Sequence, residues 1–206
     1  MDILKRLQEI FKRFPGIGER QAMRFAYFLA TADEGYVRSL TEAISTMRKD
    51  VRRCSRCYAL SERVVDGKCS LCLNPDTDTS ILLVVEKDAD RERFVKARTH
   101  TGTYFVLGGL APAIEKDAHA HIRIKELHAL VEREMASVGL SEVVLALSAT
   151  PDGERTEAIL LNTLRSLQEK GLVVSVLGKG LSTGTEIEYS DKETLTHALK
   201  SRIAFD

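Results

Sequence analysis

The residues of this chain best suited to chemistry are its four cysteines. Cys54, Cys57, Cys69 and Cys72 form C-x2-C, a gap of eleven residues, and a second C-x2-C. Two thiolates on one tight knuckle can hold one edge of a tetrahedral metal site, and a second knuckle supplies the other edge. Four soft sulfur ligands select Zn²⁺ over hard cations. With every position filled by sulfur, no place remains for an activated water, so the expected ion is a single structural zinc. The loop between the knuckles is too short to bury a core, so the metal would hold the module together. Buried free cysteines, a redox C-x-x-C pair and an iron–sulfur cluster are the competing readings of the same residues.

A second candidate is the turn Phe14-Pro15-Gly16-Ile17-Gly18. Gly16 and Gly18 permit positive φ and the close approach of a foreign backbone. Amides at the head of the helix that follows point outward, where the dipole favours anions. Arg20 and Arg24 lie four apart on one face of that helix. Together they read as a phosphate-binding element without sequence readout. The plain alternative is a helix–helix turn with solvated arginines, and Ile17 reads as a core plug.

The third candidate is acidic. Glu86 directly follows the apolar run Ile81–Val85, and Asp152 and Glu154 follow the run Val143–Leu147. Open parallel sheets carry their functional residues at such carboxyl ends. Three carboxylates converging there could hold Mg²⁺ through oxygen ligands. Helix capping is the competing reading, above all for Asp152 and Asp88. Two fainter features are a glycine-rich stretch, Gly178-Lys179-Gly180 with Ser182, Thr183 and Gly184, and the pair His119 and His121. The first does not fit a phosphate-loop pattern, and the second reads as solvated.

The elements that must position these residues follow from periodicity. Residues 2–13, about Glu19–Ala30 and about Gly35–Arg53 carry helical apolar spacing, the last through Val37, Leu40, Ala43, Ile44 and Met47. Residues 54–72 are short, polar and cysteine-rich. Beyond the turn Asn74-Pro75-Asp76, strands at 81–85, 104–107, 143–147 and 173–177 alternate with helices around 90–98, 124–138 and 157–170. That alternation predicts a parallel sheet with helices on its faces. A short strand at Glu186–Tyr189 and a last helix from about Asp191 close the chain.

Composition sets the outer limits. Of 206 residues, 44% are hydrophobic and 29% charged, which is globular composition. No run approaches the ~20 apolar residues that cross a bilayer. The chain starts without an apolar signal core. The expectation is a soluble protein in a reducing compartment, cytoplasmic, without a membrane partner. Thirty basic residues balance thirty acidic ones. The balance hides a split: residues 1–72 carry 14 Lys+Arg against 9 Asp+Glu, and residues 73–206 carry 16 against 21. The basic excess lies with the glycine turn and the cysteines, where backbone phosphate would sit.

The ordered set of motifs resembles the bacterial recombination mediator family RecR over nearly the whole chain. The 14–18 turn with Ala22 and Arg24 is similar to that family's helix-hairpin-helix, and the four cysteines to its zinc finger. Val84-Val85-Glu86, Tyr104-Phe105-Val106-Leu107 and Asp152-Gly153-Glu154 with Thr156 resemble its Toprim domain. Glu186-Ile187-Glu188-Tyr189 with Asp191, Thr194 and Leu195 resembles its carboxyl-terminal segment. Two stretches depart from the pattern: Gly108–His121 is less rich in glycine and proline, and Lys87–Arg93 carries more charge.

The resemblance implies an α/β chain (α+β overall) in four parts. These are a helix-hairpin-helix over 1–53, a four-cysteine zinc finger over 54–72, a Toprim parallel-sheet domain over 78–178 and a strand–helix segment over 179–206. It implies a non-enzymatic mediator of recombinational DNA repair, located with the nucleoid. Copies would assemble into a ring, usually a tetramer, that can encircle DNA. With RecO, and in some pathways RecF, the ring would help load recombinase on gapped or single-stranded DNA. Gly16, Gly18, Arg20 and Arg24 would then face DNA, and Glu86, Asp152 and Glu154 would face a partner or Mg²⁺. The alternative is a Mg²⁺-dependent Toprim-type nuclease or strand-cleaving enzyme using those carboxylates. None of the five tyrosines sits in a recognisable catalytic motif.

Overall fold

Two units divide the chain, Met1–Val51 and Arg52–Asp206. The computed structural model describes residues 2–112, 122–178, 180, 181, 184 and 186–202. His119, His121, Lys179, Ser182 and Thr183 lie outside the described residues.

The first unit holds α1 (Ile3–Phe11), α2 (Glu19–Thr31) and α3 (Glu34–Asp50). Short polar side chains start two of them, because the first amides of a helix have no intrahelical acceptor. Asp2 accepts from the Leu4 amide at 3.1 Å and Asp33 from the Tyr36 amide at 2.8 Å. Helices α1 and α2 approach closely over Ala22 and Ala26, both fully buried. Gln8 ties them by donating to the Glu19 carbonyl at 3.3 Å. Phe11 meets Phe14 and Phe25 edge-on. The expected apolar stripe of α3 is only partly covered: Ile44 and Met47 are each 52% exposed.

The second unit begins with two small ribbons, β1 (Arg52–Arg53) with β2 (Leu60–Ser61) and β3 (Val64–Val65) with β4 (Lys68–Cys69), followed by the single turn α4 (Ser70–Leu73). Then come β5 (Asp78–Val85), α5 (Asp88–Ala97), β6 (Gly102–Val106), α6 (Ile124–Ser137), β7 (Glu142–Ala146), α7 (Pro151–Gln168), β8 (Val173–Val176) and α8 (Lys192–Lys200). The four long strands form one parallel sheet in the order β6-β5-β7-β8. Parallel neighbours need crossover connections, and the intervening helices supply them.

The run 81–85 is continuously apolar because both faces of the sheet are covered. Leu82, Val84, Phe105, Val143 and Leu145 pack with Leu127, Val131, Leu160 and Leu164 of α6 and α7. Their alternates Leu83, Val85, Tyr104, Val106 and Ala146 pack with Cys54, Cys57, Cys69 and with Phe94 and Val95 of α5. The cysteine module is therefore part of one wall of the sheet's core.

Two expectations are corrected. Ile187–Tyr189 is a 3₁₀ turn, not a strand. The alternation Glu-Ile-Glu-Tyr imitates a strand, but Ile187 and Tyr189 are 66% and 79% exposed, so no face is buried. The backbone closes locally, with the Tyr189 amide donating to the Glu186 carbonyl at 3.2 Å. Helix α7 begins six residues before the expected Glu157, at Pro151. Proline suits a first helical position, and Thr150 caps the helix by accepting from the Gly153 amide at 3.2 Å. Asp152 and Glu154 thus stand on the first turn of α7. Among the described residues no helix is long and apolar enough to cross a membrane.

Candidate metal centre and nucleic-acid interface

The ribbons β1–β2 and β3–β4 bring the two knuckles together. Positive φ at Tyr58, Asp66 and Gly67 turns the chain back at each ribbon. The four Sγ atoms lie within 4.8 Å of one another. The Cys54–Cys72 and Cys57–Cys69 sulfur pairs stand 3.8 and 3.6 Å apart. A tetrahedron with Zn–S bonds of about 2.3 Å has edges of roughly 3.8 Å, so the donor set fits zinc. Cys54, Cys57 and Cys69 are buried and Cys72 is half-buried. Hydrogen bonds among the crowded thiols drive the Cys54 thiol far down in pKa and the Cys57 thiol far up. A cation that takes all four as thiolates removes that conflict.

Around the sulfurs lies a supporting shell that sequence reasoning missed. The Cys69 amide donates to Cys54 Sγ at 3.3 Å, and an Arg56 Nη donates to Cys72 Sγ at 3.7 Å. The Arg56 guanidinium also grips the Glu134 carboxylate of α6 at 2.8 and 2.6 Å. Burial pulls the Arg56 pKa down, but the hydrogen bond and charge of Glu134 together with those of Cys72 more than offset it and hold the pKa above its ordinary value. The signal was present: Glu134 continues the Leu127, Leu130, Val131 stripe of α6, and a carboxylate on a buried face demands a partner.

Three more contacts dock the module on the sheet. The Val106 amide donates to the Cys57 carbonyl at 2.8 Å, covering the edge strand β6. The Leu60 amide donates to Asp88 at 2.7 Å. Tyr58 sits edge-on to Phe105, with Arg123 over its ring at 5.3 Å.

In the first unit, Gly16 has φ +75°, where glycine is favoured, and Gly18 precedes α2 without a side-chain cap. A Cβ at either glycine would meet nothing within 4 Å. No internal contact forbids a side chain at Gly18, and the turn is open to a foreign backbone. Arg20 and Arg24 are exposed, one turn apart on α2, and Arg24 donates to Gln21 at 3.4 Å. Ile17 is half-buried. Aromatic side chains unforeseen from the pattern flank this face: Phe14, Tyr27, Phe28 and Tyr36 are 46–56% exposed.

The acidic residues stand at the carboxyl edge of the sheet, Glu86 directly after β5 and Asp152 and Glu154 on the first turn of α7. Glu86 is buried at the end of β5, accepting from Ser148 at 2.6 Å and paired with Lys87. Asp152 is half-exposed and paired with Arg155 at 2.9 Å. Among the described residues the cysteines are the one group of three or more metal-ligating side chains whose donor atoms gather, so Glu86, Asp152 and Glu154 form no ready cation cage. Nor do Asp88 and Asp152 cap helices, since Lys87 with Asp90 heads α5 and Thr150 heads α7. Gly153 explains the Asp-Gly-Glu motif, because a Cβ there would lie 1.8 Å from the Ser148 carbonyl oxygen. Thr156 accepts from the Ala111 amide at 2.9 Å, fastening the segment after β6 to the same helix.

A glycine-turn helical unit, a pair of cysteine knuckles and a four-stranded parallel sheet with a buried glutamate at its carboxyl edge define a mixed α/β protein built around a four-cysteine cluster. The Toprim domain model matches residues 80–178, and models of the RecR helix-hairpin-helix and RecR C-terminal regions match 4–48 and 180–203. Similar proteins include Recombination protein RecR of Bacteroides fragilis, 33% identical over 95% of this chain and 90% of that protein. Those of Syntrophobacter fumaroxidans and Lactococcus lactis are each 33% identical, over 99% and 97% of this chain and 94% and 96% of their own lengths. The chain belongs to the RecR family of recombination proteins.

Proposed function

We propose that this chain is a non-enzymatic mediator of recombinational repair that binds DNA through Gly16, Gly18, Arg20 and Arg24. Copies of it close into a ring-like clamp, a tetramer, that helps load recombinase on gapped or single-stranded DNA with RecO and, in some pathways, RecF. The observation that carries this reading is the uncapped start of α2, with open space over both glycines and two exposed arginines on its first turns. That arrangement suits phosphate without base readout. The half-exposed aromatics of the first unit suit self-association. One zinc holds Cys54, Cys57, Cys69 and Cys72 and serves structure.

Glu86, Asp152 and Glu154 are read as a docking edge. Glu86 is engaged by Ser148 and Lys87, which favours a fixed structural carboxylate over a metal ligand that must turn over. The competing reading is Mg²⁺-dependent strand cleavage at that edge, favoured by the burial of Glu86.

The test is incubation of the full chain with Mg²⁺ and gapped or supercoiled DNA, measuring retention and cleavage together. Salt-sensitive retention lost in Arg20→Glu/Arg24→Glu is the expected result. Cutting abolished by Glu86→Gln would overturn the mediator reading. A monomer by light scattering at working concentration would overturn the ring.

A further inference from the structure

A second basic feature lies in the other unit, beside the cysteine module. A cavity of about 280 Å³ opens between α4, the end of α5 and strand β6. Its walls carry Arg56, Arg91, Arg98, His100 and Tyr104, and Asp76 is its one carboxylate. Pockets for whole drug-sized molecules run from roughly 300 to 1,000 Å³, so this one suits a single compact group.

The charges around it do not balance. Arg56 is committed to Glu134 and to Cys72 Sγ. Among the described residues no hydrogen bond or ion pair holds the side chain of Arg91 or Arg98. Arg91 lies over the Tyr104 ring at 6.0 Å, and its Nε is buried without a hydrogen-bond partner. A buried donor without an acceptor costs stability until something accepts from it. Arg98 adopts φ +53° at the end of α5, a left-handed position where glycine is the usual residue. Strained backbone of this kind collects at ligand sites.

We propose that this cavity binds a phosphate group, held by the Arg91 and Arg98 guanidiniums against the Tyr104 wall. Guanidinium presents planar, paired donors that match phosphate oxygens. The group could belong to a free nucleotide or to the DNA backbone. The site is separate from Arg20 and Arg24 and does not depend on their role. One rival use of the arginines is neutralisation of the zinc–thiolate cluster, which carries a formal double negative charge. Arg56 already answers that charge through Cys72, whereas neither Arg91 nor Arg98 bonds a sulfur among the described residues.

The test uses the zinc-loaded full chain and the double variant Arg91→Gln/Arg98→Gln. The single variant Arg98→Asn guards against misfolding, since asparagine tolerates positive φ. Three quantities are read: 5′-AMP binding by calorimetry, anisotropy of a labelled single-stranded oligonucleotide over a salt series, and zinc per chain. Loss of 5′-AMP binding alone identifies a free nucleotide. A salt slope shallower by about 1.4 for the double variant, with weaker oligonucleotide binding, identifies backbone phosphate. Either supports the site, provided zinc stays at one per chain. Wild-type behaviour of the variants, no binding of either probe by the wild type, or zinc loss in step with the substitutions would overturn it. Failure of Arg20→Glu/Arg24→Glu to weaken DNA binding would instead bear on the helix-hairpin-helix alone.

Discussion

Arg56 and Glu134, 78 positions apart in the chain, are joined by two hydrogen bonds of 2.8 and 2.6 Å. Their side chains are 11% and 8% exposed. The pair is the bolt between the first cysteine knuckle and the helix α6 that covers the opposite face of the sheet. A bidentate geometry and near-complete burial make it unlike a surface ion pair, whose worth is about 0–1 kcal/mol.

Removing one partner leaves the other charge buried and uncompensated. Such losses cost about 3–5 kcal/mol. Glu134→Gln and Arg56→Met are therefore expected to lower stability by an amount in that range, measured by urea unfolding of the zinc-loaded chain. The double variant Arg56→Met/Glu134→Leu should recover much of the loss, because neither charge then remains. A loss in the double variant equal to the sum of the losses from Arg56→Met and Glu134→Leu taken singly would mean that the two side chains are not coupled.

Gly153→Ala puts a methyl 1.8 Å from the Ser148 carbonyl oxygen. That obstacle is backbone, so it cannot swing aside as a flexible side chain can. The expected cost is about 1–3 kcal/mol of overpacking, read as a lower unfolding midpoint. The shift also moves Ser148, which donates to Glu86. A midpoint equal to wild type would show that the start of α7 yields more easily than its capping by Thr150 suggests.

The parts legible in the sequence were those written in short-range pattern. The run Ile81–Val85 announced a strand buried on both faces, and the cysteine spacing announced a cluster whose sulfurs do lie together. Long-range partnerships were hidden. Nothing local says that Arg56 meets Glu134, that the Val106 amide bonds the Cys57 carbonyl, or that Ser148 reaches Glu86, because each depends on how strands are ordered in the sheet. The strand expected at Glu186–Tyr189 failed for the opposite reason. Its alternating pattern was real, but alternation makes a strand only where one face has something to bury against.

Zinc removal should act beyond residues 54–72. Cys54, Cys57 and Cys69 share a hydrophobic cluster with Leu83, Val85 and Val106, so losing the metal loosens one wall of the sheet. Chelation of the full chain is expected to expose four reactive thiols and to lower the thermal midpoint of the second unit. Acid should do the same, because a ligating thiolate that gains a proton no longer binds metal. The stabilisation is thus present at neutral pH and lost as pH falls. A midpoint indifferent to chelator, with thiols still protected, would mean that the sulfurs are held by packing alone.

The last expectation concerns how DNA binding by the first unit should depend on salt. Arg20 and Arg24 are exposed and one turn apart, at the start of a helix with no side-chain cap. If each neutralises one backbone phosphate, each contributes about 0.7–0.9 to the slope of log affinity against log salt. Arg20→Gln/Arg24→Gln should flatten that slope by roughly 1.4–1.8 and weaken binding uniformly across sequences, since phosphate contacts carry no base information. Both positions lie on the exposed face of α2, so the unfolding midpoint should stay near wild type. A sequence-dependent loss would point to base readout, and an unchanged slope would place the DNA elsewhere on the chain.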